Sequence, residues 1–96
     1  MLQYVIIAQD GKDEDALERR KNIRPVHLAG AKKLKENNNF ILGGAILDEQ
    51  GNMRGSVMMV QFENESDFKN WYANEPYITC GVWQDIEVKP FRVADV

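Results

Sequence analysis

Phe40-Ile41-Leu42-Gly43-Gly44-Ala45-Ile46-Leu47 and Ser56-Val57-Met58-Met59-Val60-Gln61-Phe62 are two apolar runs separated by Asp48-Glu49-Gln50-Gly51-Asn52-Met53-Arg54-Gly55. A polar, glycine-containing segment between two strand-like runs predicts a β-hairpin with a generous loop. On each side of this hairpin lies a helical stretch and then a further strand. Upstream, Pro25 to about Asn37 is helix-like, with Leu28, Ala31 and Leu34 spaced for one buried face and Lys32, Lys33 and Lys35 near the carbonyl end. Another helical stretch begins near Ala16. Pro25 predicts either a kink at Arg24 or a new helix starting there, because an interior proline removes a backbone hydrogen bond. Before it, Asp10 to Asp15 reads as a solvated helix entrance, and Leu2 to Ala8 as a strand apolar on both faces.

Downstream, Asn64 is placed to cap a helix whose buried face is Phe68, Trp71 and Tyr72. Pro76 opens a short helical turn through Cys80 that Gly81 closes. Trp83 to Phe91 alternates as a half-exposed strand, with Pro90 at its end or edge. The order strand, helix, strand, strand, helix, strand predicts an α+β, ferredoxin-like βαββαβ fold: a four-stranded antiparallel sheet with its helices on one face. The opposite face would carry some of Val5, Ile7, Leu42, Ile46, Val57 and Met59, a large apolar patch. A homodimer packed through this open sheet face is the expected partner arrangement.

The 96 residues hold 12 Lys and Arg against 15 Asp and Glu, for a net charge of −3, with one His and one Cys. A chain of this size buries roughly 65% of its surface in one core, so residues 1–96 are expected to form a single domain. One cysteine and one histidine exclude a disulfide framework and a Cys/His zinc cluster. No apolar run approaches the roughly 20 residues of a membrane span, and no leader segment is visible, so a cytoplasmic protein with no membrane contact is expected. The acidic balance argues against nucleic acid. Cys80 reads as a packed thiol, and Trp71 and Trp83 as core or interface.

Arg24-Pro25-Val26-His27-Leu28, Glu75-Pro76-Tyr77 followed by Gly81-Val82, Gly55-Ser56, and Val88-Lys89-Pro90-Phe91 occur in that family's set of positions along nearly the whole chain, and together resemble the YciI-like (YCII-related) family. The resemblance implies a dimeric α/β-barrel assembly of ferredoxin-like chains and a cleft with a His–Asp pair proposed as an acid–base site. Glu75 stands where the family carries Asp. Glutamate is a poor helix cap, so a carboxylate kept here points toward chemistry, with Asn74 as a substitute cap.

His27 is then the candidate acid–base group and Glu75 its partner. His27 would lie in the first turn of the segment opened by Pro25, where the helix dipole disfavours imidazolium. Arg24, Ser56 and Tyr77 are the candidate substrate-binding residues, Arg24 as a forked donor to an anionic small molecule. Arg20 can share a helix face with Arg24 and His27 but reads better as solvated. No cofactor or metal is implied. The expected function is cofactor-independent proton transfer, of isomerase or lyase type, on a small acidic or lactone-like metabolite. The alternative is a non-catalytic dimeric small-molecule-binding domain, and a cofactorless oxygenase is a third, weaker reading.

Overall fold

The computed structural model describes all residues, Met1–Val96, as β1 (Leu2–Asp10), α1 (Ala16–Glu36), β2 (Phe40–Leu47), β3 (Met53–Phe62), α2 (Glu65–Asn74), α3 (Pro76–Thr79) and β4 (Trp83–Phe91). The strands form one antiparallel sheet in the order β2-β3-β1-β4, the ferredoxin-like arrangement expected from the element order. The pairing of Ile6 with Met58 and Tyr4 with Val60 puts these residues on one face. There they join Ala8, Phe62, Val82 and Trp83, and the helices supply Leu34, Phe68 and Tyr77 to the same core. Full burial of a side chain such as Ile6 or Val60 stabilises by about 1.5–3 kcal/mol.

On the other face Val5 pairs with Met59, Ile7 with Val57, Leu42 with Met59 and Ile46 with Gly55. All six apolar residues expected on the uncovered side therefore share it. No helix covers them, and Leu42 is 61% exposed. Asp85, Glu87 and Lys89 of β4 border this face with charge.

The helix caps follow their local chemistry. The Asn64 side chain accepts a hydrogen bond from the Asp67 N–H at 2.9 Å, and Gly81, at φ 73°, lets the chain leave α3 for β4. Strand β3 starts at Met53, three residues earlier than the apolar run, so Ser56 lies inside the strand. The loop shortens to residues 48–52 because Asp48 organises it, accepting from the Gln50 and Asn52 N–H groups and from Arg54 Nε, each at 2.9 Å.

Pro25 neither ends α1 nor starts a second helix. Helix α1 runs unbroken through it for 21 residues. The inner face of the helix supplies the compensation: Ala16, Arg20, His27 and Leu34 are buried on both sides of the proline. Leu28 is rotated away from that face and is 45% exposed. Since proline in a helix interior is roughly 3 kcal/mol less favourable than alanine, Pro25→Ala is expected to raise Tm, by about 1–3 kcal/mol of stability in a denaturant titration. A fall in stability would show that α1 needs the proline to follow its path between Arg24 and His27.

Candidate functional site

Helix α1 brings two polar side chains against the sheet, and each meets partners there. Arg20, 3% exposed, donates from Nη1 to both carboxylate oxygens of Asp10 at 3.0 Å and from Nη2 to Ser56 Oγ at 2.8 Å. Asp10 is itself 6% exposed at the end of β1, where a register shift between Gln9 and Asp10 turns the strand end. Trp83 Nε1 donates to the same Ser56 oxygen at 3.2 Å.

Two turns along α1, His27 Nδ1–H donates to Glu75 Oε1. The same oxygen accepts the Tyr77 N–H at 3.1 Å, so Glu75 is both the N-cap of α3 and the partner of His27. The His27 ring stacks on Tyr77 at 3.8 Å with planes 9° apart, while the Arg20 guanidinium lies 4.8 Å from the centre of the Tyr77 ring. Trp83 meets both rings edge-on. With Nδ1 committed to the carboxylate, Nε2 is the ring nitrogen left free to exchange a proton.

These groups border a cavity of about 100 Å³ between α1 and the β2–β3 edge of the sheet. Arg20, Arg24, His27, Ser56 and Tyr77 supply its polar wall; Leu28, Ala31, Phe40, Met53 and Met58 supply the apolar one, and Gly43 and Ala45 floor it. Arg24 is exposed at the mouth and pairs with no carboxylate, so its charge is available to a ligand. The Tyr77 hydroxyl and Arg20 Nε are buried without hydrogen-bond partners. No three His, Cys, Asp or Glu side chains converge as a metal cluster.

The five residues singled out from sequence, His27, Glu75, Arg24, Ser56 and Tyr77, are thus gathered in one place, with Glu75 reached through His27. Several local readings change. His27 sits in the middle of α1 rather than in a first turn, so the dipole argument lapses for it. Glu75 does cap α3, because its longer side chain folds back onto the Tyr77 N–H; the Asn74 amide bonds instead to the Asn70 carbonyl at 2.8 Å. Cys80 is exposed at the end of α3, not packed.

Arg20 and Asp10, read as solvated, form a buried pair. The signal for Arg20 lay in its spacing: positions 16, 20, 23, 27 and 34 form one stripe of α1 whose other members face the core. Asp10 falls in step with Ile6 and Ala8 on the inner face of β1.

Burial pushes the Tyr77 phenol above its ordinary value, against a downward pull from the Arg20 and Arg24 charges. A phenol whose folded value is raised keeps its contribution to stability below the unfolded value, about pH 10, and loses it as pH rises toward the folded one. Tyr77→Phe is therefore expected to match or exceed the wild-type Tm at neutral pH, since it removes an unpartnered buried hydroxyl, and to lose less stability than wild type above about pH 10. Parallel melting curves across that range check it, and equal alkaline losses would contradict it.

Comparison with known proteins bears on the family and the fold. The model of the YCII-related domain matches residues 2–92. An uncharacterized protein of Haemophilus influenzae is 40% identical, with 95% of this chain and 97% of that protein covered. Protein YciI of Escherichia coli is 33% identical, with 93% and 95% covered. Among solved structures, the 5-chloro-2-hydroxyhydroquinone dehydrochlorinase of Burkholderia phenoliruptrix, in complex with 2,5-dihydroxybenzoquinone, superposes with a TM-score of 0.79 at 21% identity, covering 96% of this chain and 95% of that one. A dimeric ferredoxin-like protein of unknown function from Jannaschia superposes at 0.60 and 11% identity, covering 97% of this chain and 100% of that one. The chain belongs to the YCII-related domain family.

Proposed function

We propose that the cavity binds a small, oxygen-bearing acidic or lactone-like metabolite and that His27, oriented by Glu75, moves a proton on it without a cofactor, in an isomerase- or lyase-type reaction. The observation that carries this reading is the buried His27–Glu75 pair at the cavity wall. Glu75 holds the imidazole in the tautomer whose Nε2 is a base, and it stabilises the ring once a proton has been taken up. Abstraction of a proton beside a carbonyl places negative charge on the carbonyl oxygen. Arg24, Ser56 and Tyr77 are the groups of this wall suited to receive that charge.

A binding partner of anionic character also fits a protein of net charge −3, because Arg20 is neutralised by Asp10 whereas Arg24 is unpaired. The ligand of the dehydrochlorinase, a hydroxylated quinone, is a molecule of this kind. A second reading, a non-catalytic binding domain, is favoured by one feature: the capping of α3 is by itself a structural reason for Glu75.

The two readings separate in deuterium oxide with 2,5-dihydroxybenzoquinone as probe, since its ring C–H positions lie beside oxygen-bearing carbons and exchange through a keto form. Wild-type protein is expected to accelerate exchange followed by proton NMR, and His27→Ala and Glu75→Gln to reduce the acceleration by about 10²–10⁴-fold while remaining folded. Exchange that is the same in wild type and both variants overturns the acid–base assignment. Binding of the quinone with no exchange in the wild type establishes the second reading.

The assembly proposed is a homodimer through the open sheet face, of the dimeric α/β-barrel type, with the exposed free thiol of Cys80 suited to a reducing, cytoplasmic setting. The uncovered face presents Leu42, 61% exposed, with Ile46, Val57 and Met59 beside it. No helix is long and apolar enough to cross a membrane. Sedimentation is expected to give twice the 11.0 kDa chain mass, and Met59→Glu, which puts charge into the middle of the face, is expected to give folded monomer. A wild-type monomer at micromolar concentration would refute the dimer.

A further inference from the structure

The hydroxyl of Ser56 has its roles assigned by its neighbours. Arg20 Nη2 and Trp83 Nε1 both point N–H groups at Ser56 Oγ, and neither nitrogen can accept. A serine oxygen has two acceptor positions and one hydrogen, so both acceptor positions are occupied. The hydrogen is left without any acceptor in the protein, on a side chain that lines the cavity.

Two more polar atoms of residues on this wall lack partners: the Tyr77 hydroxyl, which can donate or accept, on a residue with no exposed surface, and the donor Arg20 Nε. The carboxylates nearby are engaged by donors of this chain, and the acceptor left free on the wall is His27 Nε2. Asp10 takes Arg20 on both oxygens, and Glu75 Oε1 takes the His27 Nδ1–H and the Tyr77 N–H. At Ser56 the hydrogen-bonding capacity left for a ligand is therefore donation alone.

We propose that Ser56 is a specificity filter for a ligand oxygen that accepts, carbonyl or oxyanion, and that it rejects a hydroxyl or amine donor at its own position, with Asp10, Arg20 and Trp83 as the positioning residues that hold Ser56 as a donor. This deepens the reading of the cavity as a ligand site and does not depend on proton transfer. It also limits size. A cavity of about 150 Å³ holds benzene, so about 100 Å³ takes the oxygen-bearing edge of a single ring, the rest lying toward the mouth at Arg24 and Leu28. The ligand class is a monocyclic conjugated carbonyl or enolate.

The test compares two rings of equal skeleton, 2,5-dihydroxybenzoquinone and its reduced form 1,2,4,5-tetrahydroxybenzene, titrated anaerobically by calorimetry. The expected wild-type preference for the quinone is at least about tenfold, the scale of a mismatched buried hydrogen bond. Ser56→Ala is expected to shrink that preference. Trp83→Phe frees one acceptor position on Ser56 Oγ, so it is expected to raise affinity for the tetrahydroxy ring, an effect that mere loosening of the fold would not produce. Arg24 and its charge are the same in all three proteins, so the change in preference isolates Ser56.

A preference that is unaltered in Ser56→Ala, or a wild type that binds neither ring or favours the tetrahydroxy one, overturns the proposal. Preference without deuterium exchange counts against proton transfer alone, and exchange without preference counts against this filter alone.

Discussion

Two polar side chains, Arg20 and His27, enter the interface between α1 and the sheet, and the architecture around them depends on each finding a partner there. Removing an ion from water costs several kcal/mol unless charge and hydrogen bonds are supplied in return. For Arg20 the supply is Asp10 at the turned end of β1 and Ser56 in the interior of β3; for His27 it is Glu75 at the junction of α2 and α3. Three separate parts of the chain thus meet where α1 docks on the sheet. Buried pairs of this type are weak as sources of stability compared with apolar packing of similar volume. What they provide here is a defined register between helix and sheet and a polar wall beside an otherwise apolar cavity.

Glu75 shows how a glutamate is accommodated at a cap where the resemblance implies aspartate. Aspartate at a cap reaches a nearby N–H with a short side chain. The extra methylene of glutamate is accommodated by folding the side chain back, so that one oxygen serves both the Tyr77 N–H and His27. The cap ties the acid–base candidate to the start of α3, and Tyr77, the second residue of that helix, stacks directly on the His27 ring. Position 75 therefore sets where the imidazole sits and also where the ring that supports it sits. Structural and chemical roles for this carboxylate are not exclusive alternatives, which is why reasoning from cap preference alone leads to the wrong expectation for Asn74.

Most of the fold was legible because it follows from period-two runs, a polar hairpin loop and helix caps, all of which are local. The His27–Glu75 pairing was legible only through the resemblance of Arg24-Pro25-Val26-His27-Leu28 and Glu75-Pro76-Tyr77 to a family pattern, since no local rule relates residues 48 apart. Arg20 and Asp10 were missed for a different reason. Charged residues are seldom fully buried, and the expectation of solvation is broken only when two opposite charges meet across a distance the sequence does not encode. Pro25 misled in the same way: the local penalty is real, yet the tertiary contacts of the buried stripe from Ala16 to Leu34 outweigh it.

The paired glycines of β2 lie on opposite faces of the sheet. Gly43 points inward, where an added Cβ would come within 3.0 Å of the Phe40 ring and 3.3 Å of Met58, so its lack of a side chain is what lets Phe40 take its place in the apolar wall of the cavity. Gly44 points outward and an added Cβ would meet nothing within 4 Å. Packing within this chain gives no reason for glycine there. The position lies among Leu42, Ile46, Val57 and Met59 on the uncovered face. A strand glycine with empty space beside it is suited to the close approach of a second backbone, and the apolar side chains around it supply the area such an approach would bury. One edge strand thereby carries both features, a glycine that makes room for the Phe40 ring on its inner side and a bare stretch of backbone on its outer side.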